Sequence, residues 1–140
     1  GDDDMKEILS RTATTYGGRN GTIKDTQSGL EYKLAKPKEM GGVGLDGTNP
    51  EELFSVGYSS CFASSLEYLL QNDKVKYEDL YVKAETKLLM IEDEGFKFKL
   101  IVEASVNGVD QEVQNKYIQM AKNFCPYSHA FKGNIEVEFI

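Results

Sequence analysis

The segment that most constrains this chain begins at Asn49-Pro50-Glu51-Glu52 and runs for about twenty residues with very few charges. Asn49 is a good helix N-cap, Pro50 suits the first helical position, and Glu51 and Glu52 favour the positive end of a helix dipole. Phe54, Tyr58, Cys61, Ser65, Leu66 and Leu69 then recur at helical spacing, and the helix should end near Gln71-Asn72-Asp73. Gly57, Ser59, Ser60, Ala63 and Ser64 fill much of the remaining circumference. A helix this poor in charge has no solvated face, so other elements must enclose it on several sides.

The rest of the chain supplies strands for that purpose. Met5 to Tyr16 is β-tolerant, and Gly17-Gly18-Arg19-Asn20-Gly21 is a turn in which Asn20-Gly21 is a strong hairpin signal. Thr22–Asp25 and Leu30–Ala35 read as two further short strands. Beyond the helix, Leu80–Ile91 and Phe96–Val106 read as long strands joined by a short link through Gly95, which favours an antiparallel hairpin. An amphipathic helix over Asp110–Phe124 carries the apolar stripe Val113, Tyr117, Met120, Ala121 and Phe124, and Pro126 stops it at about Cys125. Ile135, Val137 and Phe139 alternate with Glu136 and Glu138 in a half-buried last strand. The expected order is β-β-β-α-β-β-α-β, an α+β fold. A short N-terminal meander cannot cover so apolar a helix alone, so a second copy of the chain is expected to supply the missing cover.

Composition then removes several function classes. The 140 residues fit one domain over 1–140, with residues 1–4 read as a processing remnant. Sixteen Lys+Arg against 23 Asp+Glu give 16 − 23 = −7, which argues against nucleic-acid binding and against an anionic membrane surface. No apolar leader and no run of about 18 apolar residues is visible, so a cytoplasmic protein is expected, with Asn20-Gly21-Thr22 as turn chemistry rather than a glycosylation site. Two cysteines, Cys61 and Cys125, with the one histidine, His129, cannot make a standard structural zinc site, and one pair is too sparse for a disulfide-stapled mini-domain.

Few side chains carry chemistry. Gly42-Val43-Gly44-Leu45-Asp46-Gly47 matches G-x-G-x-x-G, but Pro37 interrupts the approach and the helix waits until Pro50, so a loop is favoured over a phosphate cradle. Cys61 admits two readings. A free cysteine is ordinarily a small core residue, and burial would raise its pKa and leave it inert. To react it needs a neighbouring positive charge, because the helix dipole has faded so far from the first turn. Arg19, set between Gly18 and Asn20, is a candidate for that charge. Cys125, at the negative end of its helix, is poorly placed to attack first and better suited to attack an oxidised partner. His129 is a possible base for Cys125, though a histidine in a polar loop is more often a surface residue.

Three segments together resemble the organic hydroperoxide resistance (Ohr) branch of the Ohr/OsmC thiol peroxidases. They are Thr12-Ala13-Thr14 with Gly17-Gly18-Arg19-Asn20-Gly21, Gly47-Thr48-Asn49-Pro50-Glu51 running into Gly57-Tyr58-Ser59-Ser60-Cys61-Phe62, and Cys125-Pro126-Tyr127-Ser128 with Gly133-Asn134-Ile135. The resemblance implies an OsmC-like fold, with antiparallel sheets around a buried central helix, in an intertwined homodimer with two sites at the subunit interface. It also implies Cys61 as peroxidatic thiol, Cys125 as resolving thiol, and Arg19 and Glu51 as the pair that activates Cys61. Such proteins reduce alkyl and fatty-acid hydroperoxides without metal or flavin and are recharged by lipoylated proteins or other dithiols. His129 and Phe131 lie where the family varies and bear on substrate entry, while Phe54, Phe62, Tyr127 and Met40 are candidate apolar neighbours of the peroxide. Two rivals stand beside this: an OsmC-branch stress peroxidase with broader peroxide preference, and a non-catalytic carrier of an apolar ligand.

Overall fold

A computed structural model describes residues 4–44 and 46–140. The reading of residues 1–4 as a remnant therefore falls, Asp4 apart, outside the described residues, as does Leu45 of the glycine loop. The chain forms two compact units, Gly1–Asn49 and Pro50–Ile140.

In the first unit, β1 (Thr14–Tyr16), β2 (Thr22–Lys24) and β3 (Tyr32–Lys33) form an antiparallel meander in that order. The strands are shorter than the sequence suggests. Asp25 takes a left-handed φ of 54° and ends β2, and residues 5–13 join no strand. The β1–β2 turn needs glycine at Gly21, where an added Cβ would stand 2.1 Å from the Tyr16 carbonyl oxygen. Only Ile23, Leu34 and Ala35 are buried here among the described apolar residues, while Met5, Ile8, Leu9, Tyr16, Leu30, Tyr32 and Val43 are exposed. The glycine loop is a hydrogen-bonded turn. Its Gly41 N–H donates to Lys38 O at 2.9 Å, and its Gly42 N–H donates to Pro37 O at 2.9 Å. Those amides are spent inside the loop.

The second unit is built on α1 (Pro50–Asn72), which begins and ends where its capping and breaking residues require. Tyr58, Phe62, Leu66 and Leu70 on α1 are fully enclosed. After it come β4 (Asp79–Ile91) and β5 (Gly95–Asn107), an antiparallel hairpin paired without slippage from Asp79↔Asn107 to Ile91↔Gly95. Leu80, Val82 and Ala84 alternate inward on β4, as a sheet with one buried face requires. Next are α2 (Gln111–Phe124), α3 (Pro126–Phe131) and β6 (Glu136–Phe139), giving a sheet of order β4-β5-β6.

Three features depart from the sequence reading. The sheets are not wholly antiparallel: β6 pairs parallel to β5, from Lys99↔Glu136 to Val102↔Phe139. The helices between these strands form a crossover, which returns the chain in the same direction. Pro126 does end α2, but it also opens α3, since a ring with φ preset and no N–H fits the first turn of a new helix. Finally, Phe124 is not part of the core stripe. It lies exposed and stacks on Tyr68, centroids 5.3 Å apart and planes 7° apart, while Tyr117 and Ala121 of α2 are buried.

Candidate active site

The second unit brings its two thiols together. Cys61 lies midway along α1, half-buried, and Cys125 lies fully buried in the joint between α2 and α3. Although 125 − 61 = 64 positions apart, the Cys125 thiol is within hydrogen-bonding reach of the Cys61 sulfur. Cys125 is at once the C-cap of α2 and the N-cap of α3, so the negative end of one helix is met by the positive end of the next. The expectation of a purely unfavourable helix end for Cys125 is corrected by α3.

The electrostatics of Cys61 are resolved in direction and cause. Burial is the largest influence and pushes its thiol pKa up; the Tyr127 backbone, hydrogen-bonding to the sulfur, pulls it down; the Cys125 thiol raises it again. The net direction is upward, so a thiolate here needs a cation that these neighbours do not supply.

Glu51 occupies the first turn of α1, half-buried. Because α1 is unbroken, the 61 − 51 = 10 residues to Cys61 place it about 15 Å away along the axis at ~1.5 Å per residue. Arg19 sits in the β1–β2 turn of the first unit, half-buried between exposed Gly18 and Asn20. His129 is exposed, and its Nε2 lies 3.0 Å from the Asn123 carbonyl oxygen, an engagement that turns it away from a role as base for Cys125.

The candidate apolar neighbours separate. Phe54 and Tyr127 meet edge to face with centroids 6.3 Å apart, and Tyr127 is partly exposed. Phe62 is fully buried, stacked on Tyr58 at 5.8 Å and tilted against Phe139 at 5.4 Å, so it is core rather than substrate contact. Phe131 is buried, packed on Phe54 and Tyr58 at 5.8 and 5.9 Å.

Two features were not legible beforehand. The first is the Tyr127 amide, which depends on the unforeseen α3. The second is Tyr58, one α-helical turn before Cys61, whose buried hydroxyl has no hydrogen-bond partner of ordinary geometry; burial pushes its phenol up to about 12, with the nearby Ser128 hydroxyl acting in the opposite direction. A cavity of about 450 Å³ lies beyond Tyr58, with Lys122, His129, Phe131, Ile135 and Phe139 among its walls. Neither cysteine lines it, so it is not the chamber around the thiols. Among the described residues, no group of three or more His, Cys, Asp or Glu side chains could hold a metal, and no helix is long and apolar enough to cross a membrane.

Comparison with known proteins places this geometry. Residues 42–140 match the family of OsmC-like proteins. The chain is 39% identical over 132 residues to organic hydroperoxide resistance protein-like 2 of Staphylococcus epidermidis, covering 94% of this chain and 93% of the relative. It is 35% identical over 133 residues to the organic hydroperoxide resistance protein of Xanthomonas axonopodis pv. citri, covering 94% and 93%. The crystal structure of an organic hydroperoxide resistance protein from Elizabethkingia anophelis superposes with a TM-score of 0.90 at 40% identity, covering 96% of each chain.

Proposed function

Given that the chain belongs to the OsmC-like family, in its organic hydroperoxide resistance branch, we propose that it is a cysteine-based peroxidase that reduces organic hydroperoxides to alcohols. The observation that carries this is the meeting of Cys61 and Cys125, remote in sequence, with the first half-buried and the second enclosed behind it.

In the proposed cycle, the Cys61 thiolate attacks the terminal peroxide oxygen. The O–O bond breaks, the alkoxide takes a proton to leave as alcohol, and Cys61 becomes a sulfenic acid. The Cys125 thiol then attacks that sulfur and water departs, leaving a Cys61–Cys125 disulfide. An external dithiol, such as a lipoyl group, reduces it by two thiol–disulfide exchanges. Arg19 supplies the cation that offsets the burial of Cys61 and stabilises charge on the departing oxygen, with Glu51 orienting its guanidinium. Since α1 holds Glu51 about 15 Å from Cys61 of its own chain at ~1.5 Å per residue, the Glu51 of a second subunit is the one assigned to the site. A homodimer follows, and it also gives cover to a first unit that buries only Ile23, Leu34 and Ala35 of its own described apolar residues.

The test is stoichiometric. One equivalent of cumene hydroperoxide should be consumed per chain with loss of both thiols, and Cys61→Ser should abolish consumption. Peroxide turnover that survives Cys61→Ser would remove the mechanism. A carrier with two packing cysteines would leave both thiols titratable.

A further inference from the structure

Gly57 stands one turn before Cys61 on α1 and is half-buried. Glycine is a poor choice inside a helix, where alanine would ordinarily be favoured, so its presence calls for a close approach by something else. That approach is made by Tyr127. A Cβ on Gly57 would stand 2.3 Å from the Tyr127 hydroxyl oxygen, 2.9 Å from its Cζ and 3.1 Å from its Cε2. The tip of the ring therefore rests on the bare backbone of α1, and Phe54 meets the ring edge to face at 6.3 Å. The phenol oxygen and both carbons move as one rigid group, so a methyl group at Gly57 can be accommodated only if the ring moves.

Tyr127 is also the residue whose backbone hydrogen-bonds to the Cys61 sulfur. It follows Pro126 in the first turn of α3, immediately after Cys125. One residue thus touches α1 twice, through its ring at Gly57 and through its backbone at Cys61. On the footing that Cys61 is the attacking thiol, we propose that Gly57 and Tyr127 are positioning residues for the peroxide reaction. The ring seated on Gly57 fixes the first turn of α3, and so holds the Tyr127 amide on the Cys61 sulfur.

The amide is a fixed donor to a sulfur that must become negative, so it favours the thiolate and needs no rearrangement when charge develops. Loss of its alignment leaves burial and the Cys125 thiol, both of which favour the protonated form.

The experiment measures iodoacetamide alkylation of Cys61 against pH in a Cys125→Ser background, with peroxide consumption measured separately in the parent protein. Gly57→Ala should raise the apparent Cys61 pKa by about one unit, moving the whole alkylation curve up the pH axis by that amount with the alkaline plateau unchanged. Tyr127→Ala should produce a similar rise, and adding Gly57→Ala to it should change nothing further, because the ring that clashes is gone. Tyr127→Phe lacks the closest atom and should partly restore the pKa of Gly57→Ala. An unchanged pKa in Gly57→Ala overturns the proposal, as does an equal additional rise in the Tyr127→Ala background. If the parent protein consumes no peroxide while the coupled pKa shift is present, the peroxidase reading fails and the seating of the amide stands.

Discussion

Replacing Arg19 by alanine isolates the charge that the second unit does not provide. There, burial and the Cys125 thiol push the Cys61 pKa above the ordinary thiol value of 9.0, and the Tyr127 backbone opposes them only in part. A thiol whose pKa is raised is protonated at neutral pH, so the reactive form is what the substitution removes. With a pKa above 9.0, the thiolate fraction at pH 7 is below about 1%. If Arg19 holds the parent thiol largely ionised at pH 7, Arg19→Ala should lower the rate of Cys61 oxidation there by about a hundredfold. The loss should shrink about tenfold for each pH unit gained until the raised pKa is passed. The assay is the second-order rate of Cys61 oxidation by cumene hydroperoxide across pH, in a Cys125→Ser background so that only the first step is read. A mutant profile that superposes on the parent profile would refute the reasoning and remove Arg19 from its role.

Other substitutions test the frame around the thiols. Phe62→Ala empties a fully buried site between Tyr58 and Phe139 and should cost about 3–5 kcal/mol in urea unfolding; a cost below about 1 kcal/mol would mean that the α1 core is misassigned. Tyr58→Phe removes a buried hydroxyl that completes no hydrogen bond and should stabilise the fold by about 1 kcal/mol. Destabilisation by a similar amount would reveal a partner for that hydroxyl. His129→Asn should leave the rate of disulfide formation within about twofold, since its ring is engaged with the Asn123 carbonyl rather than with a thiol; a tenfold loss in rapid-quench measurements would restore it as a base for Cys125.

The sequence carried α1 well because three independent signals agree there: an Asn-Pro-Glu start, helical apolar spacing and an Asn-Asp end. The β4–β5 hairpin was legible for a similar reason, as alternation on both strands and a glycine link fix one register. What escaped depends on non-local geometry. Pro126 reads from sequence as a stop, and its second property as a start makes α3, which supplies the amide at Cys61 and changes the helix environment of Cys125. The parallel β6 depends on which strand it pairs with, a non-local choice that its own alternating pattern does not specify. Phe62 and Phe131 are apolar whether they face a substrate or the core, and only burial separates the two roles. Gly57 did carry a signal, a glycine inside an otherwise regular helix, but its meaning required Tyr127, 127 − 57 = 70 positions later.

The central claim is that Cys61 and Cys125 form one redox pair within a chain. Peptide mapping by mass spectrometry after one equivalent of cumene hydroperoxide, without reductant, tests it directly. The account predicts a cross-linked pair of peptides containing Cys61 and Cys125, lighter by two hydrogens than the free peptides, and restored by a dithiol. Peptides in which both cysteines remain free, or in which Cys61 is oxidised while Cys125 stays a thiol, would contradict it.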